Sequence, residues 1–262
     1  MSETLVQYSS QNGIAVLSLN DPPANTYSYE MMRRLDELIL QARMDPAIHV
    51  VVLTGMGEKF FCAGANIRML TSVTPEFKYY FCLHANETLN RLEQTPKLVI
   101  AALNGHCVGG GLEVALAADL RIARRGGGKI GLPEVNLGVL PGTGGTQRLA
   151  RIVGKSRAIE LMATGKTFEF EEAVPLGLIN QVFDSEGFQE KVLDYAAQFV
   201  PPGRASKAVG RIKRAVQTGL ELPFQDSLAL ERELQQQLFE SEDASEGLKA
   251  YTEKRAPHFQ GK

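Results

Sequence analysis

A run of three glycines between an apolar strand and a helix constrains this chain more than any other feature. The apolar residues 98–103 lead to the glycines at 109–111, and the helix that begins there carries Glu113 in its first turn. Glycine has no side chain, so a ligand can approach this backbone closely. The first N–H groups of a helix have no partner within it and carry the positive end of its dipole. The pattern predicts a site for an oxygen that becomes negative, with Glu113 beside it for proton transfer.

A second carboxylate lies in a similar setting further along the chain. Glu134 follows Pro133 and precedes a glycine-rich apolar segment, residues 138–149. Acid–base chemistry on one substrate often uses two carboxylates whose surroundings separate their protonation states. Glu113 and Glu134 are too distant in sequence to share one helix face, so only the fold can make them a pair.

Composition bounds the class of protein. The chain has 262 residues, 44% of them hydrophobic, which suits one full-sized domain with a smaller appendage. A net charge of −2 argues against a nucleic-acid or membrane-surface protein. No apolar run is long enough to cross a membrane, and the N-terminus has no targeting pattern. The three cysteines, Cys62, Cys82 and Cys107, lack paired spacing and indicate reduced thiols. These features predict a cytoplasmic protein.

Metal and redox chemistry have no signal in the sequence. No group of His, Cys and Asp residues has the spacing of a metal site. No motif for a redox cofactor occurs either. We therefore expect neither a metal nor a cofactor.

Strand-like and helix-like segments alternate before residue 200, which predicts an α/β fold. An apolar strand followed by a glycine-bearing loop occurs twice, in residues 50–65 and 98–110. After the Pro-Pro-Gly sequence at 201–203 the pattern is helical only. We therefore expect a core over residues 1–200 and a helical region over residues 201–262. That region has more leucine than a small helical unit can bury alone, which predicts an oligomer.

Three motifs and the C-terminal segment occur in a characteristic order. They are FCAGANI at 61–67, NGHCVGGGLE at 104–113, GLPEVNLGVLPGTGGTQRL at 131–149 and YTEKRAPHF at 251–259. In order and spacing they resemble the enoyl-CoA hydratase (crotonase) superfamily, and the resemblance covers nearly the whole chain. It implies a spiral of ββα units with a C-terminal α-helical oligomerisation region. It also implies trimers, two of which usually stack into a hexamer.

The same resemblance implies roles for four residues. Ala65 and Gly110 match the positions whose backbone N–H groups form an oxyanion hole on a thioester carbonyl. Glu113 and Glu134 match the pair with which hydratases add water across a conjugated double bond. Glu113 would activate the water for attack at C3, and Glu134 would handle the proton at C2. The implied enzyme is a lyase of fatty acid metabolism, with coenzyme A as part of its substrate.

A further set of residues is implied to hold the acyl-CoA. The set consists of Ala24, Lys59, Ala63, Ile67, Arg68, Gly142, Tyr251 and Lys254. The cationic members and Tyr251 would contact the phosphates and adenine of coenzyme A. Tyr251 and Lys254 would come from a neighbouring subunit. Gly142 would fix the water or Glu134 through its backbone.

Three positions depart from the family's usual pattern. Asn66 stands where the family most often has Asp, and Tyr27 stands where it has a small residue or Leu. The loop over residues 124–129 is one residue longer than usual. None of these departures removes a catalytic group.

Three functions remain open from the sequence. The first is hydration of 2-enoyl-CoA thioesters, which needs both glutamates. The second is another enolate reaction on the same scaffold, most plausibly double-bond isomerisation, which can run with Glu134 alone. The third is a non-catalytic or RNA-binding homologue, supported only by the basic residues at 204–214, which are most simply a solvated helix face. Retention of both glutamates favours the first.

Overall fold

In the computed structural model, which describes residues 5–262, ten strands form two sheets. In chain order the strands are β1 (Val6–Gln11), β2 (Ile14–Leu19), β3 (Val50–Gly55), β4 (Phe60–Cys62), β5 (Leu98–Leu103), β6 (His106–Val108), β7 (Leu120–Arg124), β8 (Lys129–Gly131), β9 (Phe168–Glu169) and β10 (Gln181–Phe183). The larger sheet has the order β1-β2-β3-β5-β7-β10, and the smaller has the order β4-β6-β8-β9.

The helices pack around these sheets and complete the chain. They are α1 (Tyr29–Met44), α2 (Ile67–Ser72), α3 (Pro75–Glu93), α4 (Gly110–Leu116), α5 (Gly145–Val153), α6 (Lys155–Thr164), α7 (Phe170–Ala173), α8 (Phe188–Ala197), α9 (Ser206–Gly219), α10 (Phe224–Phe239) and α11 (Glu242–Glu253). A 3₁₀ helix spans Glu134–Leu137.

The larger sheet begins with a hairpin and continues with parallel strands. β1 and β2 pair antiparallel around a turn at Asn12 and Gly13, both with positive φ. From β2 onward every neighbouring pair is parallel. β3 and β5 are buried along their whole length, which explains their unbroken apolar sequences. β10 lies at the opposite edge of this sheet from β1.

The strands form three successive ββα turns. In each turn a strand of the larger sheet is followed by a three-residue strand of the smaller sheet and then by a helix. The pairs are β3 with β4, β5 with β6, and β7 with β8, and each sheet places them side by side in that order. This is the spiral of ββα units that the sequence motifs predict, with one turn more than the repeated pattern indicated.

The smaller sheet corrects the sequence analysis at one point. The sequence pattern predicts a loop between β5 and the glycines, whereas residues 106–108 form β6 and pair with β4 and β8. Strands of three residues are too short to produce a readable alternation of apolar and polar positions. Their pairing partners are distant in sequence, so only the folded chain reveals them.

The basic helix α9 also differs from expectation. Its lysine at 213 is not part of a solvated face, because it is only 7% exposed. Lys213 Nζ lies 2.8 Å from Asp119 Oδ2 and donates to the carbonyl of Lys97 at 3.1 Å. Asp119 also accepts from Val99 N at 2.7 Å. This buried ion pair ties α9 to the strands of the core. The contact joins the two regions predicted on either side of the boundary at 200/201. That these regions are separate folding units remains a prediction.

Candidate active site

The first and second ββα turns bring two backbone segments together. β4 and β6 are parallel neighbours, with Cys62 opposite Cys107, so the segments that follow them leave the same edge of the sheet. A Cβ added to Gly64 would lie 2.9 Å from the backbone N of Gly110. Gly64 also has φ +92°, a conformation that favours glycine. This glycine permits the close approach of Ala65 to Gly110.

Both of these backbone N–H groups are free of acceptors. Ala65 forms a parallel bridge with Tyr27, in which Tyr27 N donates to Gly64 O and Asn66 N donates to Tyr27 O, each at 2.9 Å. Consecutive N–H groups of extended backbone point to opposite sides, so that of Ala65 points away from the bridge. Gly110 begins α4, where an N–H has no intrahelical partner. Within residues 5–262 neither group has an acceptor, as an oxyanion hole requires.

Glu113 is held by three hydrogen-bond donors. It lies in the first turn of α4, the helix of the second ββα unit, and is only 2% exposed. Oε1 accepts from Thr143 N at 2.7 Å and from Gly145 N at 2.8 Å. Oε2 accepts from the hydroxyl of Thr143 in a short hydrogen bond. Ionised carboxylates are acceptors only, so this set of donors suits the carboxylate and fixes its orientation.

Glu134 has a contrasting environment. It begins the 3₁₀ helix, and its Oε2 is buried without a hydrogen-bond partner in the described chain. Burial, and to a smaller extent the nearby charge of Glu113, raise the pKa of Glu134 from 4.5 to about 7. A Cβ on Gly109 would lie 3.3 Å from Glu134 Oε1, so the glycine loop leaves room for this carboxyl group. The fold therefore brings the two glutamates together, as their use as a pair requires.

The two N–H groups and the two glutamates together can support acid–base chemistry on a substrate that has a carbonyl group. Two unpaired N–H groups can donate hydrogen bonds to a carbonyl oxygen and stabilise the negative charge that develops on it. The Glu113 carboxylate is oriented by three donors, and burial raises the pKa of Glu134 to about 7, so that its carboxyl group can hold a proton close to neutral pH. Two acid–base groups in different protonation states can take a proton from one atom and deliver one to another.

Some of the residues predicted to bind the acyl-CoA lie close to Ala65, either along the chain or through a backbone hydrogen bond. Ala63 N donates to Ala24 O at 3.0 Å, which joins these two positions next to Ala65. Ile67 and Arg68 open α2, with exposed side chains. Lys59 is also exposed and precedes β4. This placement leaves the side chains available to a ligand that reaches the oxyanion hole from outside.

Other candidates are not brought to the site by the single chain. Tyr251 is 86% exposed on α11, and Lys254 follows the end of that helix. Neither makes a hydrogen bond, ion pair or ring contact with the residues around Glu113 in the described part of the chain. Gly142 faces Cys82, whose Sγ would lie 3.3 Å from an added Cβ. The residues just after Gly142 hold Glu113 rather than Glu134.

Three residues at the site were not singled out as functional from the sequence. Thr143 and Gly145 hold Glu113, and the hydroxyl of Tyr27 lies 3.2 Å from Thr143 Oγ1. The glycine-rich segment after Pro141 was a signal for the first two. Tyr27 was visible only as a departure from the family's usual pattern.

The departure at Asn66 is accommodated locally. Asn66 caps α2, its side chain accepting from Met69 N at 3.1 Å, a role that Asp also fills.

Cys62 and Cys107 are completely buried, and burial raises the pKa of the Cys62 thiol to about 12. Both thiols are therefore packing groups, as the sequence suggested.

The described residues also bear on metal binding and on membrane insertion. Among residues 5–262, no group of three or more His, Cys, Asp or Glu side chains is placed to hold a metal ion. Over the same residues, no helix is both long and apolar enough to span a membrane.

Three stacked ββα turns followed by a helical C-terminal region define a crotonase-type fold. The chain belongs to the enoyl-CoA hydratase/isomerase family, whose sequence model matches residues 9–262. It is a crotonase-family enzyme, which confirms the family predicted from the motifs.

Individual relatives agree with this assignment. A Bacillus subtilis protein named as a probable enoyl-CoA hydratase is 37% identical over 95% of both chains. A short-chain-enoyl-CoA hydratase of Clostridium acetobutylicum is 36% identical over 92% of both chains. Among solved structures, one of Geobacillus kaustophilus described as an enoyl-CoA hydratase has 46% identity and a TM-score of 0.96. It covers 99% of this chain, and this chain covers 97% of it.

Proposed function

We propose that this protein hydrates 2-enoyl-CoA thioesters reversibly to 3-hydroxyacyl-CoA. The observation that carries the proposal is the unlike pair of glutamates beside two free N–H groups. Glu113 has three donors, whereas Glu134 has an unpartnered buried oxygen and a pKa of about 7. Relatives of similar length that are named as hydratases support the same reaction.

The reaction follows from the positions of these groups. The thioester oxygen accepts hydrogen bonds from the N–H groups of Ala65 and Gly110, which draws electrons from the double bond and makes C3 electrophilic. Glu113 takes a proton from water as its oxygen bonds to C3. Negative charge moves to the thioester oxygen, where the two N–H groups stabilise it. Glu134 then delivers its proton to C2, and proton exchange between the carboxyl groups and solvent restores the starting state.

Binding of coenzyme A is assigned to the exposed residues around the site. Lys59 and Arg68 supply positive charge for its phosphates, and Ala24, Ala63 and Ile67 flank the path to the oxyanion hole. Tyr251 and Lys254 act from a neighbouring subunit in this proposal. No separate cofactor and no metal is used, because the backbone N–H groups polarise the carbonyl.

The assembly proposed for this protein is a homotrimer or a hexamer. Large apolar side chains of the C-terminal helices are exposed in the single chain, namely Ile212, Val216, Leu220, Phe224, Phe239 and Leu248. A second copy of the chain is the simplest way to cover them. Sedimentation equilibrium at micromolar concentration is expected to give three or six times the 28.7 kDa chain mass, and a stable monomer would contradict the proposal.

The direct test is hydration of crotonyl-CoA by purified protein. Loss of the absorbance of the conjugated thioester is expected, with 3-hydroxybutyryl-CoA as the product. Conversion of a 3-enoyl-CoA without any hydration of the 2-enoyl-CoA would instead support isomerisation. The RNA-binding alternative lost part of its support with the burial of Lys213.

The pH dependence of hydration provides a prediction with a defined sign. The active pair holds one proton, on Glu134 during hydration and on Glu113 during dehydration. Above a pH of about 7 the pair loses this proton, so kcat/KM for hydration is expected to fall there about tenfold per pH unit. Dehydration must show the same alkaline limb, because the equilibrium constant for adding neutral water does not depend on pH. Initial rates of both directions between about pH 6 and about pH 9 test this. A flat profile would exclude Glu134 as the proton carrier.

A further inference from the structure

The Tyr27 side chain forms a buried layer beneath the site. The residue is 2% exposed, and its ring lies 5.9 Å from that of Phe81 between centroids. A Cβ added to Gly110 would overlap the Tyr27 hydroxyl and lie 2.7 Å from Cε1 of the ring. The side chain therefore runs past the start of α4 to reach Thr143. Because it is buried, it supports the site without forming a wall that a substrate touches.

The direction of the hydrogen bonds from Tyr27 can be deduced. Thr143 has one hydroxyl proton, which it donates to Glu113 Oε2, since a carboxylate can only accept. The 3.2 Å contact between Tyr27 and Thr143 therefore has the phenol as donor and Thr143 Oγ1 as acceptor. Burial, and then the charge of Glu113, raise the pKa of Tyr27 well above its usual value. The phenol thus keeps its proton, and the chain runs from Tyr27 through Thr143 to Glu113.

We propose that Tyr27 is a positioning residue for the reaction, which fixes the Glu113 carboxylate through the hydroxyl of Thr143. The inference rests on the proposed hydration and deepens it. A threonine hydroxyl can rotate to other acceptors, and the donor from Tyr27 removes that freedom. The backbone of Tyr27 also bonds to Gly64 and Asn66 on either side of Ala65. One residue thus connects the base to the oxyanion hole.

The test uses three single variants and one double variant, assayed with crotonyl-CoA. Tyr27→Phe keeps the ring and removes only the donor, so kcat is expected to fall about tenfold with KM changed less than about twofold. Thr143→Val is expected to lower kcat about 50-fold, because Glu113 loses a donor. Thr143→Ser keeps the hydroxyl and should restore most of the rate.

The double variant separates positioning from a general structural effect. If Tyr27 acts through Thr143, Tyr27→Phe combined with Thr143→Val should be no slower than Thr143→Val alone. Multiplied losses, or an unchanged kcat in Tyr27→Phe, would overturn the inference. Tyr195→Phe is the matched control, since Tyr195 packs between Phe183 and Phe199 away from the site and should leave the rate unchanged.

The wild-type protein, Tyr27→Phe, Thr143→Val and the double variant also give a readout that does not depend on catalysis. Denaturant midpoints of the two single variants and the double variant should be non-additive, because the two side chains share one hydrogen bond. Non-additive midpoints in a protein that fails to hydrate crotonyl-CoA would refute the proposed function and leave the chain from Tyr27 to Thr143 standing. Additive midpoints with an active wild-type protein would refute the chain and leave the function standing.

Discussion

Replacement of either glutamate by glutamine is expected to lower the turnover of crotonyl-CoA by ~10²–10⁴, the largest effect we predict. In Glu134→Gln the amide has almost the same shape, yet it has no proton to deliver to C2. In Glu113→Gln a single amide oxygen replaces two carboxylate oxygens, so the amide NH₂ would face a donor from Thr143 or Gly145. The water then has no carboxylate to act as its base, and the side chain at position 113 is no longer held in one orientation.

These variants are measured by steady-state kinetics together with calorimetric binding of the 3-hydroxyacyl-CoA product. Binding should persist, because the oxyanion hole and the proposed coenzyme A contacts are unchanged. Glu190→Gln is a suitable control, since Glu190 is exposed on α8. Near-normal turnover of either site variant would refute the two-carboxylate mechanism. If only Glu134→Gln is inactive, the isomerase function gains support.

Substitution of Gly110 by alanine is expected to cost ~10²–10³ in kcat, because one oxyanion-hole donor is displaced. The new methyl group would overlap the Tyr27 side chain, which is buried and packed against Phe81. The start of α4 must therefore shift, and its first N–H shifts with it. Because the cost falls on the state in which the thioester oxygen is negative, KM should change much less than kcat.

Gly203→Ala is the matched control for this substitution. The nearest atom to a Cβ at Gly203 is 3.7 Å away, which is ordinary packing, so this variant should keep the wild-type rate. Circular dichroism and product binding establish that the Gly110→Ala protein is folded. A folded variant with wild-type kcat would show that the Gly110 N–H does not stabilise the reacting oxygen.

Much of the secondary structure could be predicted because its signals are local. Ser28 caps α1 through a hydrogen bond from Met31 N, and the helix ends at Met44, just before the Asp-Pro sequence at 45–46, a local helix-ending signal. The apolar runs at Val50 and Leu98 begin β3 and β5 as predicted. Capping, turn formation and apolar periodicity depend on residues a few positions apart, so the sequence displays them directly.

The family motifs predicted more of the fold and of the site than the local signals did. They indicated the spiral fold, which is confirmed, and they named the glutamates that lie together in the structure. The roles of these residues stay predictions, as do the coenzyme A contacts and the oligomer. The motifs gave no indication of what holds Glu113, because Thr143 and Gly145 follow it by about thirty residues in a different element.

By itself the sequence determined the long apolar strands, the capped helices, the position of the glycine loop and the family. The tertiary structure decided how side chains with no sequence proximity share a site: the donors to Glu113, the unpartnered oxygen of Glu134 and the Tyr27 layer beneath them. It also decided that Lys213 is buried against Asp119 rather than solvated. The physical reason is that burial and hydrogen-bond partners are set by packing across the whole chain. A residue's chemistry at a site depends on that environment more than on its neighbours in sequence.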